Sequence, residues 1–141
     1  MASTHAPFRY DVVGSFLRPD VLKQARADHK AGLIDDAALE VVTDEAIRDL
    51  VAKQKAHGLR AVTDGEFRRR YWHLDFLAEL GGVQEVTAEH WSVHFQGHQP
   101  KAATVVIADK PSFGEHPFLA HFDFMKSVAG DALVKQTIPS P

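Results

Sequence analysis

The stretch Ala61-Val62-Thr63-Asp64-Gly65-Glu66-Phe67-Arg68-Arg69-Arg70-Tyr71-Trp72 constrains this chain more than any other. An apolar β run, Leu59 to Thr63, ends abruptly in a turn that carries two carboxylates, and three arginines and a tryptophan follow. Upstream, Leu39, Val42, Ala46, Ile47 and Leu50 recur at helical spacing with Asp, Glu, Arg and Lys on the other face. Asp35 is placed to cap that helix and His57-Gly58 to close it. A long amphipathic helix feeding directly into an apolar strand is the return leg of a strand–helix–strand crossover, and such crossovers join parallel strands. The opening strand of the unit is then Tyr10-Asp11-Val12-Val13, broken by Gly14-Ser15. A first helix starts near Pro19, runs through Val21, Leu22 and Ala25 to about Lys30, and stops at Gly32.

Beyond the turn, Phe67, Tyr71, Leu74 and Ala78 form one helical stripe, with Trp72, Phe76 and Leu80 beside it, until Gly81-Gly82 stops the segment. Trp91, Val93 and Phe95 alternate with polar residues, and Ala103 to Ala108 is a second β run, so residues 91–108 predict an antiparallel excursion. Pro111 to Pro117 is a loop. Phe118, Phe122, Met125 and Val128 predict a further helix, and Val134 to Ile138 a last strand. This order is how a (β/α) barrel begins, and a complete barrel needs about 250 residues. The 141 residues are therefore read as α/β: a partial (β/α)8 TIM-type barrel holding the first three strands or so, with an antiparallel β insertion near 91–108. Residues 1–9 are expected to be a flexible leader and 10–141 one partial domain.

Composition narrows the function classes. A hydrophobic share of 45% and a charged share of 25% describe a globular chain. The net charge of -3, with both signs interspersed, gives no electrostatic reason to expect nucleic acid. No apolar run approaches the roughly 20 residues that span a membrane, and the N-terminus has no signal-peptide core, so a cytoplasmic address is expected. Cysteine is absent, which excludes disulfides, thiolate metal ligands and a cysteine nucleophile within this chain.

In parallel α/β proteins ligands sit at the C-terminal ends of the strands. Three turns occupy that position: Val13-Gly14-Ser15, Asp64-Gly65-Glu66 and Pro139-Ser140-Pro141. Gly14 and Ser15 can offer N–H groups and a hydroxyl to a carboxylate, and Glu66 can accept from an ammonium. Together they suit the two ends of an amino acid. A plainer alternative stays open, in which Gly14 merely turns the chain and Asp64 caps a helix. Among Arg68, Arg69 and Arg70, one guanidinium can face an anion; the alternative is a solvated helix face with one member paired to Asp64 or Asp75. Trp72 and Trp91 can stack on a flat ligand or pack at a rim. His90, His94 and His98 recur every fourth residue, as metal ligands on a helix would. The alternation around them indicates a strand, where four residues span about 13 Å and the three rings spread too far for one ion. His73 follows the Glu66 turn and is either a site residue or an ordinary surface histidine. Gly81-Gly82 lacks the context of a phosphate loop.

Val13-Gly14-Ser15-Phe16-Leu17-Arg18-Pro19, Thr63-Asp64-Gly65-Glu66-Phe67-Arg68-Arg69, Trp72-His73-Leu74-Asp75-Phe76 and Lys135-Gln136-Thr137-Ile138-Pro139-Ser140-Pro141, in that order, resemble the cobalamin-independent methionine synthase family. They are most similar to its short single-barrel members, and the resemblance runs from Tyr10 onward. It implies a (β/α)8 barrel and transfer of a methyl group from a methylated folate to a homocysteine-type thiol, with zinc activating the thiolate. By resemblance, Gly14 and Ser15 touch the homocysteine carboxylate region and Glu66 binds the amino group. Arg18 and Ser140 complete the candidate substrate-binding set, and no catalytic or metal residue is assigned. The family's zinc ligands are His, Cys, Glu and Cys on later strands, so no cofactor is expected in this chain, although zinc is expected in the full-length family. The chain is accordingly expected to be inactive alone. Implied partners are a thiol amino acid and a folate, with no nucleic acid and no membrane, and either a homo-oligomer or a completing chain. A non-enzymatic amino-acid-binding module is the alternative function.

Overall fold

The computed structural model describes residues 11–87 and 103–139. They fall into two compact units: residues 11–69 with 121–137, and residues 70–87 with 103–120 and 138–139.

In the first unit, α1 (Asp20–Lys30) and α2 (Asp36–Ala56) lead to β1 (Ala61–Val62). Asp35 caps α2, its carboxylate accepting the Ala38 N–H at 2.9 Å. Leu22 and Ala25 of α1 and Ala46, Ile47, Leu50 and Val51 of α2 are buried; Ala46, Ile47 and Leu50 lie on the face that helical periodicity predicts for α2. The core they form closes over Val62 and Phe67, and Met125 and Ala129 complete it. Each fully buried side chain of this size contributes about 1.5–3 kcal/mol.

β1 pairs in parallel with β4 (Leu133–Val134), Ala61 opposite Leu133 and Val62 opposite Val134. A parallel pair is thus present, though not the one predicted between Tyr10–Val13 and Leu59–Thr63, and both strands are shorter than the runs Leu59–Thr63 and Val134–Ile138. A side chain ends β1: the buried Gln54 amide donates to the Thr63 carbonyl at 2.8 Å and accepts the Thr63 N–H at 3.0 Å. The backbone groups that would extend the ladder are taken.

The strand expected at Tyr10–Val13 does not form over its described residues. The Val12 carbonyl is taken by the Lys135 ammonium, which also pairs with Asp11 at 2.6 Å, and Val13 is 79% exposed. A side chain therefore takes the place of a strand ladder there. The described sheets are small: one parallel pair and one antiparallel pair.

The second unit holds α3 (Leu74–Leu77) and the antiparallel pair β2 (Gly81–Thr87) and β3 (Ala103–Ser112). The helix predicted to start at Phe67 shrinks to the four residues of α3. Helix formation after Glu66 needs the carbonyls of Glu66, Phe67 and Arg69 as acceptors. Arg18 holds the first and third, at 2.8 and 2.6 Å, and Arg26 the second, at 3.1 Å. Asp75 then accepts the N–H groups of Arg70 and Tyr71 at 2.6 and 2.9 Å, satisfying them locally.

An antiparallel pair is present, as expected, but its first described strand is β2. Gly81-Gly82, read as a stop, lies inside that strand at a register shift. Gly82 has φ +76, and a Cβ there would lie 2.7 Å from the carbonyl oxygens of both Asp109 and Lys110, so the bulge requires glycine. β3 also runs on to Ser112, into the predicted loop. The Trp91–Phe95 run and His90, His94 and His98 lie outside the described residues. Helix α4 (Pro117–Ala129) matches its expected stripe, and its first turn belongs to the second unit.

Candidate functional site

The turn after β1 is built by its own side chains. Thr63 Oγ1 accepts the Gly65 N–H at 3.0 Å, and Asp64 Oδ1 accepts the Glu66 N–H at 2.9 Å. The Asp64 carbonyl accepts the Phe67 N–H at 3.3 Å. Gly65 and Glu66 both have positive φ, +64 and +58, the sign pattern of a type I′ turn. Asp64 is thereby committed to the turn itself. Glu66 is the one non-glycine residue with positive φ among the described residues.

That backbone aims the Glu66 carboxylate at two other segments of the same unit. Ser15 Oγ donates to Oε2 at 2.5 Å, and Thr137 Oγ1 donates to Oε1 at 3.0 Å. Arg69 Nη1 lies 3.7 Å from Oε1, and the same guanidinium donates to the Thr137 carbonyl. Glu66 is 5% exposed and Arg69 3%. The Ser15 loop is fastened by the Phe16 N–H, which donates to the Gly65 carbonyl at 3.1 Å, and by Arg18, whose Nη2 clamps the Glu66 and Arg69 carbonyls. Three segments thus converge on one buried carboxylate: residues 14–18, 64–69 and 135–137. The second and third follow the C-terminal ends of β1 and β4.

Of the candidate residues, Ser15, Arg18 and Glu66 come together. Gly14 adjoins them with φ +90, and a Cβ there would meet nothing within 4 Å; glycine is required by the dihedral, not by space. Ser140 lies outside the described residues. Thr137 and Arg69 are additions to the set. Arg69 stood in a run with two other arginines, and the structure separates the three: Arg68 pairs with Asp44, Arg69 with Glu66, and Arg70 with Glu85. Thr137 carried no signal beyond its place after an apolar run. In the second unit, Trp72 is 59% exposed and stands 4.6 Å from the His73 ring.

Chemically, a carboxylate placed this way can accept hydrogen bonds from a cation that brings its own donors. Two hydroxyls and a guanidinium orient the carboxylate. A metal is a different matter. Among the described residues no three His, Cys, Asp or Glu side chains are grouped to hold an ion, and the sequence contains no cysteine. This donor set does not fit a thiolate-ligated zinc.

Residues 8–138 match the family model described as the catalytic domain of cobalamin-independent synthase. The uncharacterized protein YxjG of Bacillus subtilis is 44% identical over 135 residues, which cover 96% of this chain and 35% of that protein. A methionine synthase of Sulfurisphaera tokodaii is 30% identical over 131 residues, 92% of this chain and 37% of the other. Among solved structures, a protein proposed to be a vitamin-B12-independent methionine synthase from Listeria monocytogenes superposes with a TM-score of 0.78 at 39% identity, over 96% of this chain and 37% of that one. The chain spans about a third of the length of the curated relatives it matches.

Proposed function

The chain belongs to the catalytic-domain family of the cobalamin-independent synthases, and from that premise we propose that it supplies the amino-acid end of a methyltransferase site. The reaction is transfer of a methyl group from a methylated folate to a homocysteine-type thiol. The two described parallel strands, with residues 11–13 beside them, are the opening of a (β/α)8 barrel. The observation that carries this reading is the Glu66 carboxylate: buried, held at a positive φ in the turn after β1, and bonded by Thr137 after β4 and by Ser15. Residues seldom adopt such a backbone unless the surroundings enforce it, and functional sites are where enforcement concentrates.

In the proposed complex Glu66 accepts the ligand ammonium. Ser15 and the Gly14 N–H face the ligand carboxylate, while Arg18 keeps the Glu66 turn in place. Ser140 is assigned to the rim of the same pocket. No thiolate or metal step belongs to these residues. These residues include no cysteine to serve as a thiolate ligand for zinc, and the proposed role of the chain alone is to hold substrate and not to turn it over. A completing chain or a second copy is the proposed partner.

Isothermal calorimetry with L-methionine or L-homocysteine tests the reading. Glu66→Gln keeps the shape and removes the charge, and is expected to weaken binding by about 1.5–3 kcal/mol. Absence of heat with millimolar ligand, or equal affinity in Glu66→Gln, would sink it. Robust zinc-dependent turnover by the purified chain would overturn the claim that the chain does not catalyse the reaction by itself.

A further inference from the structure

A groove runs between α2 and α4 in the first unit. Its volume is about 510 Å³, and it is lined by Arg48, Val51, Ala52 and Lys55 of α2 and by Val128 of α4. Val51 is buried and Ala52 exposed, so the floor is apolar and reaches solvent. Arg48 and Lys55 stand two turns apart on one helix, which sets two cations about 10 Å from each other along that floor.

The two cations are not equivalent. The Lys55 ammonium donates to the Ala129 carbonyl at 2.9 Å and to Asp131 at 2.8 Å. Gly130 leaves room for it, since a Cβ there would lie 3.0 Å from Lys55 Nζ. Its charge is already offset. Asp44, one helical turn before Arg48, is where an opposite charge would support it, but Asp44 pairs with Arg68. Both guanidiniums lie over the Phe124 ring, Arg48 at 4.9 Å and Arg68 at 5.0 Å from its centroid. Among the described residues no carboxylate is paired with Arg48. The groove therefore joins one uncompensated guanidinium, held on an aromatic face, to an apolar floor.

A cavity of this size suits a small organic ligand. A planar guanidinium pairs a carboxylate through two parallel hydrogen bonds. One uncompensated charge calls for a monoanion, and the floor calls for an apolar body behind the acid group. We propose that the groove between α2 and α4 binds small organic monocarboxylates, with the acid group on Arg48 and the apolar body along Val51, Ala52 and Val128. None of these residues is a partner of Glu66, and the proposal is independent of the role given to Glu66.

Isothermal calorimetry compares octanoate with octanol, which lacks the charge, and with acetate, which lacks the apolar body. The wild-type chain is expected to bind octanol about tenfold more weakly than octanoate, the equivalent of one charged hydrogen bond. Acetate is expected to give no heat at the same concentration. Arg48→Gln is expected to weaken octanoate about tenfold and to leave octanol unchanged. Ala52→Asp puts a like charge on the floor and is expected to abolish the octanoate heat. Both substituted side chains are exposed, and the wild-type comparison of octanoate with octanol needs no variant to fold. Equal affinity for octanoate and octanol, undiminished octanoate binding in Arg48→Gln, or no octanoate heat at millimolar concentration overturns the proposal. Light scattering on the same samples decides the rival occupant. If Arg48→Gln or Ala52→Asp lowers the mass found for the wild type, the groove holds a second copy of the chain and the proposal falls.

Discussion

At the scale of single residues, the site depends on Gly65. Its φ is +64, and a Cβ there would lie 2.5 Å from Leu50 Cδ2, 3.1 Å from Phe16 Cβ and 3.2 Å from Phe67 Cε1. Leu50 is a flexible end and can move; the Phe16 and Phe67 contacts cannot be relieved by the same shift. Gly65→Ala is expected to cost about 1–2 kcal/mol from the left-handed dihedral alone, with repacking of Leu50 added. The urea midpoint measures it, and an unchanged midpoint would refute this account of the turn. Ser15 and Glu66 were legible as a pair because two turn signals, Gly14-Ser15 and Asp64-Gly65-Glu66, each follow an apolar run. Thr137 and Arg69 were not. Thr137 meets Glu66 across 71 positions, and no local pattern carries that information. Arg69 differs from Arg68 and Arg70 only in direction, which the irregular backbone after Glu66 decides.

At the scale of elements, helices with caps and one apolar face were legible. The Asp35 cap, the α2 face and the α4 stripe all match. Asp35→Ala removes the acceptor for the Ala38 N–H and is expected to destabilise the chain by about 1 kcal/mol; a thermal midpoint equal to the wild type's would show the cap to be idle. The element that failed is the helix after Glu66, whose stripe at Phe67, Tyr71 and Leu74 is genuine. Competition for carbonyls overrode the pattern, since Arg18 and Arg26 come from distant positions. β2 went unread because a Gly-Gly pair is both a stop signal and a bulge signal. One contact near β4 gives a pH dependence. The Lys55 ammonium donates to Asp131 at 2.8 Å and holds that carboxyl below its ordinary range. A carboxyl with a lowered folded-state pKa stabilises the fold fully above its unfolded-state pKa, and the contribution is lost as pH falls through the lowered value. Asp131→Asn is therefore expected to be less stable than wild type at pH 7 and to converge with it at strongly acid pH. Urea midpoints at the two pH values decide it, and a deficit that persists or grows in acid would contradict the assignment.

At the scale of the whole molecule, the question is what covers the apolar surface of the first unit. Val13 is 79% exposed, Leu17 87%, Val21 61%, Leu33 73% and Leu133 51%. Parallel sheets are normally buried on both faces, and β1 with β4 is a parallel sheet of two strands. Exposed apolar surface on this scale marks an interaction site or an association liability. The sequence suggested a partial barrel, but the burial of each residue decides which side chains remain outside. Leu22 is fully buried and Val21 is not, though both lie on α1. Light scattering on the purified chain is expected to give a concentration-dependent mass above the 15.6 kDa of one copy. The paired substitution Leu17→Ser and Leu33→Ser is expected to lower that mass toward the monomer without lowering the unfolding midpoint, because neither side chain is buried in the core that Leu22, Ile47, Val62 and Phe67 form. A wild-type chain that stays monomeric at high concentration would rule out self-association. If the double variant associates as strongly as the wild type, the contact lies on another surface, and the exposed β4 residue Leu133 is the next to change.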